Sequence, residues 1–206
     1  MLAVANGSST SIKVWDTATW QLVATLQILH PKSGKPNDKV ATKKFMLLVA
    51  YSSDGRQPTC GSMDGTISVF NVARSKFLHH LKGHLMPVRT LIYYPNEPRV
   101  FFSASNDGHI HIYDAEGKSM IGSILGHSSW VLSIDARTDG VAIASGSSEK
   151  TLKLWDLSMR AAVKSMTNHS DMVWEVTFQP PWGAGVRSGS LESVSDDKSI
   201  SLYDYS

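Results

Sequence analysis

Cysteine is nearly absent. Cys60 is the one thiol in 206 residues, so no intrachain disulfide can form and the composition fits a reducing compartment. A charge excess of one sign is also missing. Twenty Lys and Arg against eighteen Asp and Glu leave +2, without the clustered basic stripe that nucleic-acid binding requires. No apolar run approaches the roughly 20 residues of a membrane helix. The opening MLAVANGSST has neither the basic start nor the apolar stretch of a signal peptide. No window sustains apolar residues at i, i+3, i+4, i+7, the spacing of an amphipathic helix. These absences set the expectation of a soluble, intracellular protein without direct nucleic-acid or membrane binding. With 42% hydrophobic residues and 9% aromatics, the chain is not of disordered composition and has ample material for a core.

What is present is a repeat. Residues 126–156 read GHSSWVLSIDARTDGVAIASGSSEKTLKLWD, opening on Gly-His and closing on Trp-Asp. The closing pair recurs as Trp15-Asp16, Phe70-Asn71, Tyr113-Asp114, Trp155-Asp156 and Tyr203-Asp204, with successive aromatics 55, 43, 42 and 48 residues apart. A period near 40–45 with this ending is the signature of four-stranded propeller blades. Six residues before each aromatic stand Ser9, Asp64, Asp107, Glu149 and Asp197, acidic in four of the five copies. Short runs rich in β-branched residues, broken by Gly, Asp and Ser, predict strands at Trp130–Ile134, Val141–Ser145, Thr151–Trp155 and Ala161–Met166.

The copies differ at their openings. Gly83-His84 and Gly126-His127 are intact, Asn168-His169 replaces the glycine, and no such pair precedes Phe45. There a stretch with two prolines and five lysines, 31–44, reads as a long solvated loop, and a second insertion, Pro180–Gly189, lengthens the last unit. Met1–Ala5 reads as a second strand, so the chain enters in mid-blade, and it ends just after a third strand. The units are a partial blade at 1–30, the loop at 31–44, blades at 45–82, 83–125 and 126–167, and a last blade at 168–206 without its outer strand.

The GH…WD pattern at this period resembles the WD-repeat β-propellers across essentially the whole chain. The stretches CGSMDGTISVF (Cys60–Phe70), GHLMPVR (Gly83–Arg89) and the closing SVSDDKSISLYDYS are similar to the superkiller-type WD subunits. The resemblance implies an all-β fold, an incomplete propeller of about four and a half four-stranded blades out of an expected seven. A truncated product of this kind leaves one blade face and one strand edge uncovered. It also implies a non-catalytic scaffold of two assemblies. These are the RNA polymerase II-associated factor complex, linked to transcription elongation and histone modification, and the superkiller complex, which assists exosome-linked mRNA decay. The implied partners are protein subunits of those complexes, the implied location is the nucleus and also the cytoplasm, and no cofactor or small-molecule substrate is expected. The alternative reading is an adaptor of a ubiquitin ligase or signalling complex, because propellers host many roles.

Three sets invite a catalytic reading: His84/Ser103/Asp107, His127/Ser145/Glu149 and His169/Ser193/Asp197. Their threefold recurrence and the absence of a G-x-S-x-G elbow favour scaffold over catalysis. By resemblance, each set joins the closing aromatic (Tyr113, Trp155 or Tyr203) in a buried hydrogen-bond network. Glu149, a methylene longer than Asp, is expected to give a looser network. Cys60 beside Asp64 is expected to give a partial one, and the first copy, with Ala5 and Ser9, none. Metal binding is not expected, since the histidines are spread over different blades and His109 with His111 lacks a third ligand. The partner-binding positions fall three and five residues after each His: Pro87 and Arg89, Trp130 and Leu132, Met172 and Trp174. Period-2 spacing puts each pair on one side of its strand, and by resemblance these positions open on the top face. Arg89, Trp130, Leu132, Met172 and Trp174 are residue types that anchor interfaces.

Overall fold

The computed structural model describes residues 2–6, 11–28, 45–179 and 189–205. The Lys/Pro loop 31–44, residues 180–188 of the second insertion, and Ser9 lie outside the described residues. Among the described residues the chain forms eighteen strands in five antiparallel sheets, each built from consecutive strands. The first holds β1 (Leu2–Asn6), β2 (Ser11–Trp15) and β3 (Leu22–Gln27). The second holds β4 (Met46–Tyr51), β5 (Pro58–Ser62), β6 (Ile67–Asn71) and β7 (Lys76–Leu81). The third holds β8 (Val88–Tyr93), β9 (Val100–Ser105), β10 (Ile110–Asp114) and β11 (Ser119–Ile124). The fourth holds β12 (Val131–Ala136), β13 (Ala142–Ser147), β14 (Leu152–Asp156) and β15 (Ala161–Met166). The last holds β16 (Val173–Phe178), β17 (Gly189–Ser195) and β18 (Ile200–Tyr205). The four strands expected between Trp130 and Met166 are all present, with boundaries shifted by at most two residues.

The turns explain why each sheet closes where it does. The residue after the closing aromatic accepts main-chain N–H groups two or three residues on: Asp16 from Ala18 and Thr19, Asn71 from Arg74, Asp114 from Glu116 and Gly117, Asp156 from Ser158 and Met159. This Asx turn reverses the chain, and a residue with positive φ (Trp20, Ser75, Lys118 or Arg160) leads into the outer strand. At the other end of the sheets, the turn between second and third strands leans on the neighbouring sheet. Gly65 sits at φ +79° with its Cα against the carbonyls of His84 and Met86, where a side chain would collide.

Two kinds of bulge recur. In each first strand one residue is unpaired against its neighbour: Leu47, Arg89, Leu132 and Trp174. In each outer strand one apolar residue is extra, opposite the step into the closing aromatic: Val23, Leu78, Ile121 and Val163. Bulges increase twist and re-aim side chains.

Every hydrophobic cluster joins two neighbouring sheets. Ile12 and Val14 pack with Met46, Cys60 and Phe70; Ile67 and Val69 with Val88, Leu91 and Phe101; Ile110 and Ile112 with Val131, Ile134 and Ile143; Leu152 with Val173, Val176 and Leu191. The apolar pair on each third strand is thus the contact surface for the sheet that follows. The corresponding pair of the last sheet, Ile200 and Leu202, is 66% exposed at both positions. Hydrogen bonds also cross between sheets. Thr59 meets Tyr93 at 2.5 Å, Tyr94 donates to the Gly140 carbonyl at 2.8 Å, and Asp135 accepts from Phe178 N at 2.7 Å. Leu152→Ala should lower the unfolding free energy by about 2–5 kcal/mol in urea denaturation, as core truncations do. Leu85→Ala, at a site 90% exposed, should change it by less than about 0.5 kcal/mol. Equal stability of the two variants would show that contacts between sheets do not hold the molecule together.

Candidate partner-binding face

The fourth sheet carries the fullest polar network. Trp155 Nε1 donates to Ser145 Oγ at 2.7 Å, Ser145 Oγ lies 2.6 Å from His127 Nε2, and His127 Nδ1 lies 2.7 Å from Glu149 Oε1. An ionised carboxylate only accepts, so Nδ1 carries the proton, Nε2 accepts from the serine and the serine accepts from the indole. Glu149 Oε2 also receives Ser128 N at 2.7 Å, and Oε1 receives the Thr151 hydroxyl. The extra methylene does not loosen this site. The His127–Glu149 contact is as short as His84–Asp107 at 2.8 Å and His169–Asp197 at 2.9 Å. Ser103 and Ser193 each lie 2.7 Å from their histidine.

The fourth member differs from expectation in the other two sets. Tyr113 does not reach Ser103. Its hydroxyl donates to the Lys82 carbonyl at 3.4 Å and lies 3.3 Å from His111 Nδ1, while its ring stacks on Phe101. The Tyr203 hydroxyl is buried with no partner among the described residues. A phenol carries its polar atom at the ring tip, and an indole carries it nearer the strand, so only Trp155 presents a donor to the serine. In the second sheet Cys60 is fully buried, and burial pushes its thiol up to about 12. Asp64 accepts from Thr66 N at 3.0 Å. A second repeated serine escaped the sequence reading. Ser105, Ser147 and Ser195, two residues beyond each network serine, donate to the carbonyls of Met86, Trp130 and Asp171. The S-x-S spacing was the available signal.

These networks fix the loops that form one end of the sheets. At this end the carbonyls of Phe45, Pro87, Trp130 and Met172 accept from Met63 N, Asn106 N, Ser148 N and Asp196 N at 2.9–3.1 Å, which sets the four residues at one level. Trp130 is 43% and Trp174 40% exposed, and Arg89 and Met172 are half-buried. Leu132 is a correction. At 6% exposure it belongs to the interior, because β12 packs between β8 and β16; Trp174, the bulged residue at the same place in β16, is 40% exposed. Alignment on the histidine missed Phe45, Met63, Leu85 and Met86, which are 52%, 55%, 90% and 40% exposed. Alignment on the strands would have found Phe45, since its carbonyl bond is the counterpart of Trp130's. Among the described residues, no three metal-ligating side chains converge. His109 and His111 are ring neighbours, and His111 stacks on His84 at 4.1 Å.

The WD40 family (WD domain, G-beta repeat) matches residues 75–114 and 118–156. The chain is 62% identical over its whole length to WD repeat-containing protein VIP3 of Arabidopsis thaliana, and spans 64% of that protein. The chain belongs to the WD-repeat proteins. It is also 38% identical over 96 residues to superkiller complex protein 8 of Dictyostelium discoideum, which covers 46% of this chain and 30% of that one. A chain in the crystal structure of the mitotic checkpoint complex superposes with a TM-score of 0.79 at 24% identity, covering 98% of this chain and 56% of that one, a likeness of fold. The all-β WD propeller architecture read from the repeat is therefore the one the chain adopts. In these terms the His/Ser/acid sets are the polar side of each WD repeat.

The networks depend on pH. Burial holds His84 and His127 below the ordinary histidine range, against the pull of Asp107 and Glu149. His111, buried and stacked on His84, falls to about 4. Burial opposes charge on Glu149, but hydrogen bonds from Ser128, Thr151 and His127 outweigh it and hold the carboxyl at about 2. The unfolded chain takes up protons first in both cases. Stability from the neutral His111 is complete above 6.5 and is lost as pH falls towards 4, and that from Glu149 is lost between 4.5 and 2. The melting temperature should be flat between about pH 7 and 8 and fall steadily on acidification. A melting temperature unchanged down to pH 4.5 would contradict this.

Proposed function

We propose that this WD-repeat chain is a non-catalytic scaffold that docks protein segments on the face bearing Trp130 and Trp174. We further propose that it serves as a subunit of the RNA polymerase II-associated factor complex and of the superkiller complex, in the nucleus and also the cytoplasm. The observation that carries the docking reading is the level set of exposed large side chains at the loop end of the sheets. Phe45 and Trp130 stand at that level and Trp174 two residues beyond it on β16, each at least 40% exposed, and the His127 and His169 networks hold the loops that lead to Trp130 and Trp174. Aromatic residues on a pre-organised surface lose little entropy on binding. Two relatives support the choice of assemblies: one carries the superkiller name, and the plant protein is 62% identical. The family resemblance extends this to the transcription-elongation complex.

The same geometry argues against hydrolysis. Ser145 Oγ is fully buried between His127, to which it donates, and Trp155, from which it accepts, so a substrate has no access to it. Ser103 and Ser193 are equally inaccessible. A serine-directed fluorophosphonate should label none of the three; stoichiometric labelling of any one would make the chain an enzyme.

The affinity-tagged chain expressed in Arabidopsis should co-purify subunits of either complex, identified by mass spectrometry. Trp130→Ala with Trp174→Ala should reduce their recovery by about tenfold or more while leaving the melting temperature unchanged, as loss of interface anchors does. Recovery of ubiquitin-ligase subunits in their place, or recovery indifferent to the double variant, would overturn the proposal.

A further inference from the structure

Arg89 is the feature the networks leave unexplained. Arg56, Arg99 and Arg137 each lie within 4.0 Å of a carboxylate, and Arg74 and Arg160 are exposed. Arg89 is half-buried, and among the described residues its guanidinium makes no ion pair and donates no hydrogen bond. Removing a guanidinium from water without giving it an anion is unfavourable. A fold that holds one there leaves a strong binding group for something else.

Its surroundings define that something. Arg89 is the bulged residue of β8, three residues beyond Met86. The Met63 N–Phe45 carbonyl bond of 2.9 Å, and the approach of the Gly65 turn to the Met86 carbonyl, bring Phe45, Met63 and Met86 to the same end of the second and third sheets. At this end, then, apolar side chains stand close in the chain to Arg89, which has no anion among the described residues, and the exposed Asp64 lies beside Met63. One arginine in an apolar setting suits a single negative charge. A phosphoryl group carries nearly two and is met by clustered arginines.

Building on the docking reading above, we propose that this part of the face recognises a peptide segment carrying one Asp or Glu beside large apolar side chains. The carboxylate pairs with Arg89, and the apolar side chains cover Phe45, Met63 and Met86. The charged contact, sheltered by the apolar ones, supplies register and selectivity.

The test is a random peptide library displayed on phage and panned on the immobilised chain. Enriched peptides should carry an acidic residue within a few positions of two or more large apolar residues. A synthetic peptide with the enriched sequence should bind the chain with an affinity that falls as NaCl rises. Arg89→Glu should weaken it by about tenfold or more, the range for truncating a sheltered charge pair. Arg89→Gln, which removes the charge and keeps most of the side chain, should weaken it less, with both variants melting as the parent does. If Arg89→Glu does not fold, Arg89→Gln alone decides. Enriched peptides without acidic residues, lost on Trp130→Ala with Trp174→Ala but indifferent to Arg89→Gln and to salt, would overturn this proposal and leave the docking reading standing. Binding indifferent to every variant on this face would overturn both.

Discussion

A sheet whose two faces are both apolar is stable only when both are covered, and that requirement governs this molecule. Ile67 and Val69, Ile110 and Ile112, and Leu152 each lie at the centre of a cluster completed by the next sheet. Among the described residues, no sheet has a core of its own. Stability passes from neighbour to neighbour, as in other repeat proteins, and the exposure of Ile200 and Leu202 shows what this surface looks like where no further sheet covers it among the described residues.

The polar networks follow from the same stacking. Placing sheets face to face buries the turns that join their strands, and buried turns need internal partners for their polar groups. Histidine, serine and a carboxylate meet that need by tying the loop before the first strand to the turn after the second. The arrangement resembles a catalytic triad in composition, yet its serine is spent on structure, buried against the histidine and, at Ser145, also accepting from the Trp155 indole. Rigid loops at one end of the sheets are the consequence, and they lead into Trp130 and into the strands that carry Arg89 and Trp174.

Much of this was legible in the chain. The spacing of aromatic–Asp pairs, the acid six residues earlier and the strand pattern around Trp130 to Met166 led directly to four-stranded repeats, and Trp155 with His127 and Ser145 was correctly grouped. The errors have one physical origin each. Leu132 is inside because sheets lie on both sides of β12, which the alternation within one strand does not reveal. Tyr113 and Tyr203 were grouped with the network on residue type, but a phenol hydroxyl is too far along the ring to reach the serine. Phe45 was passed over because the histidine used for alignment is missing from its copy.

The sequence by itself determined the repeat and its strands, because these rest on short-range periodicity and on turn chemistry that recurs at fixed offsets. Which side chains face solvent at the loop end, and that Arg89 lacks a carboxylate among the described residues, was decided only when the sheets packed. Exposure and pairing there depend on bulges and on neighbours from another sheet, some forty residues away in the chain, and no local pattern encodes them.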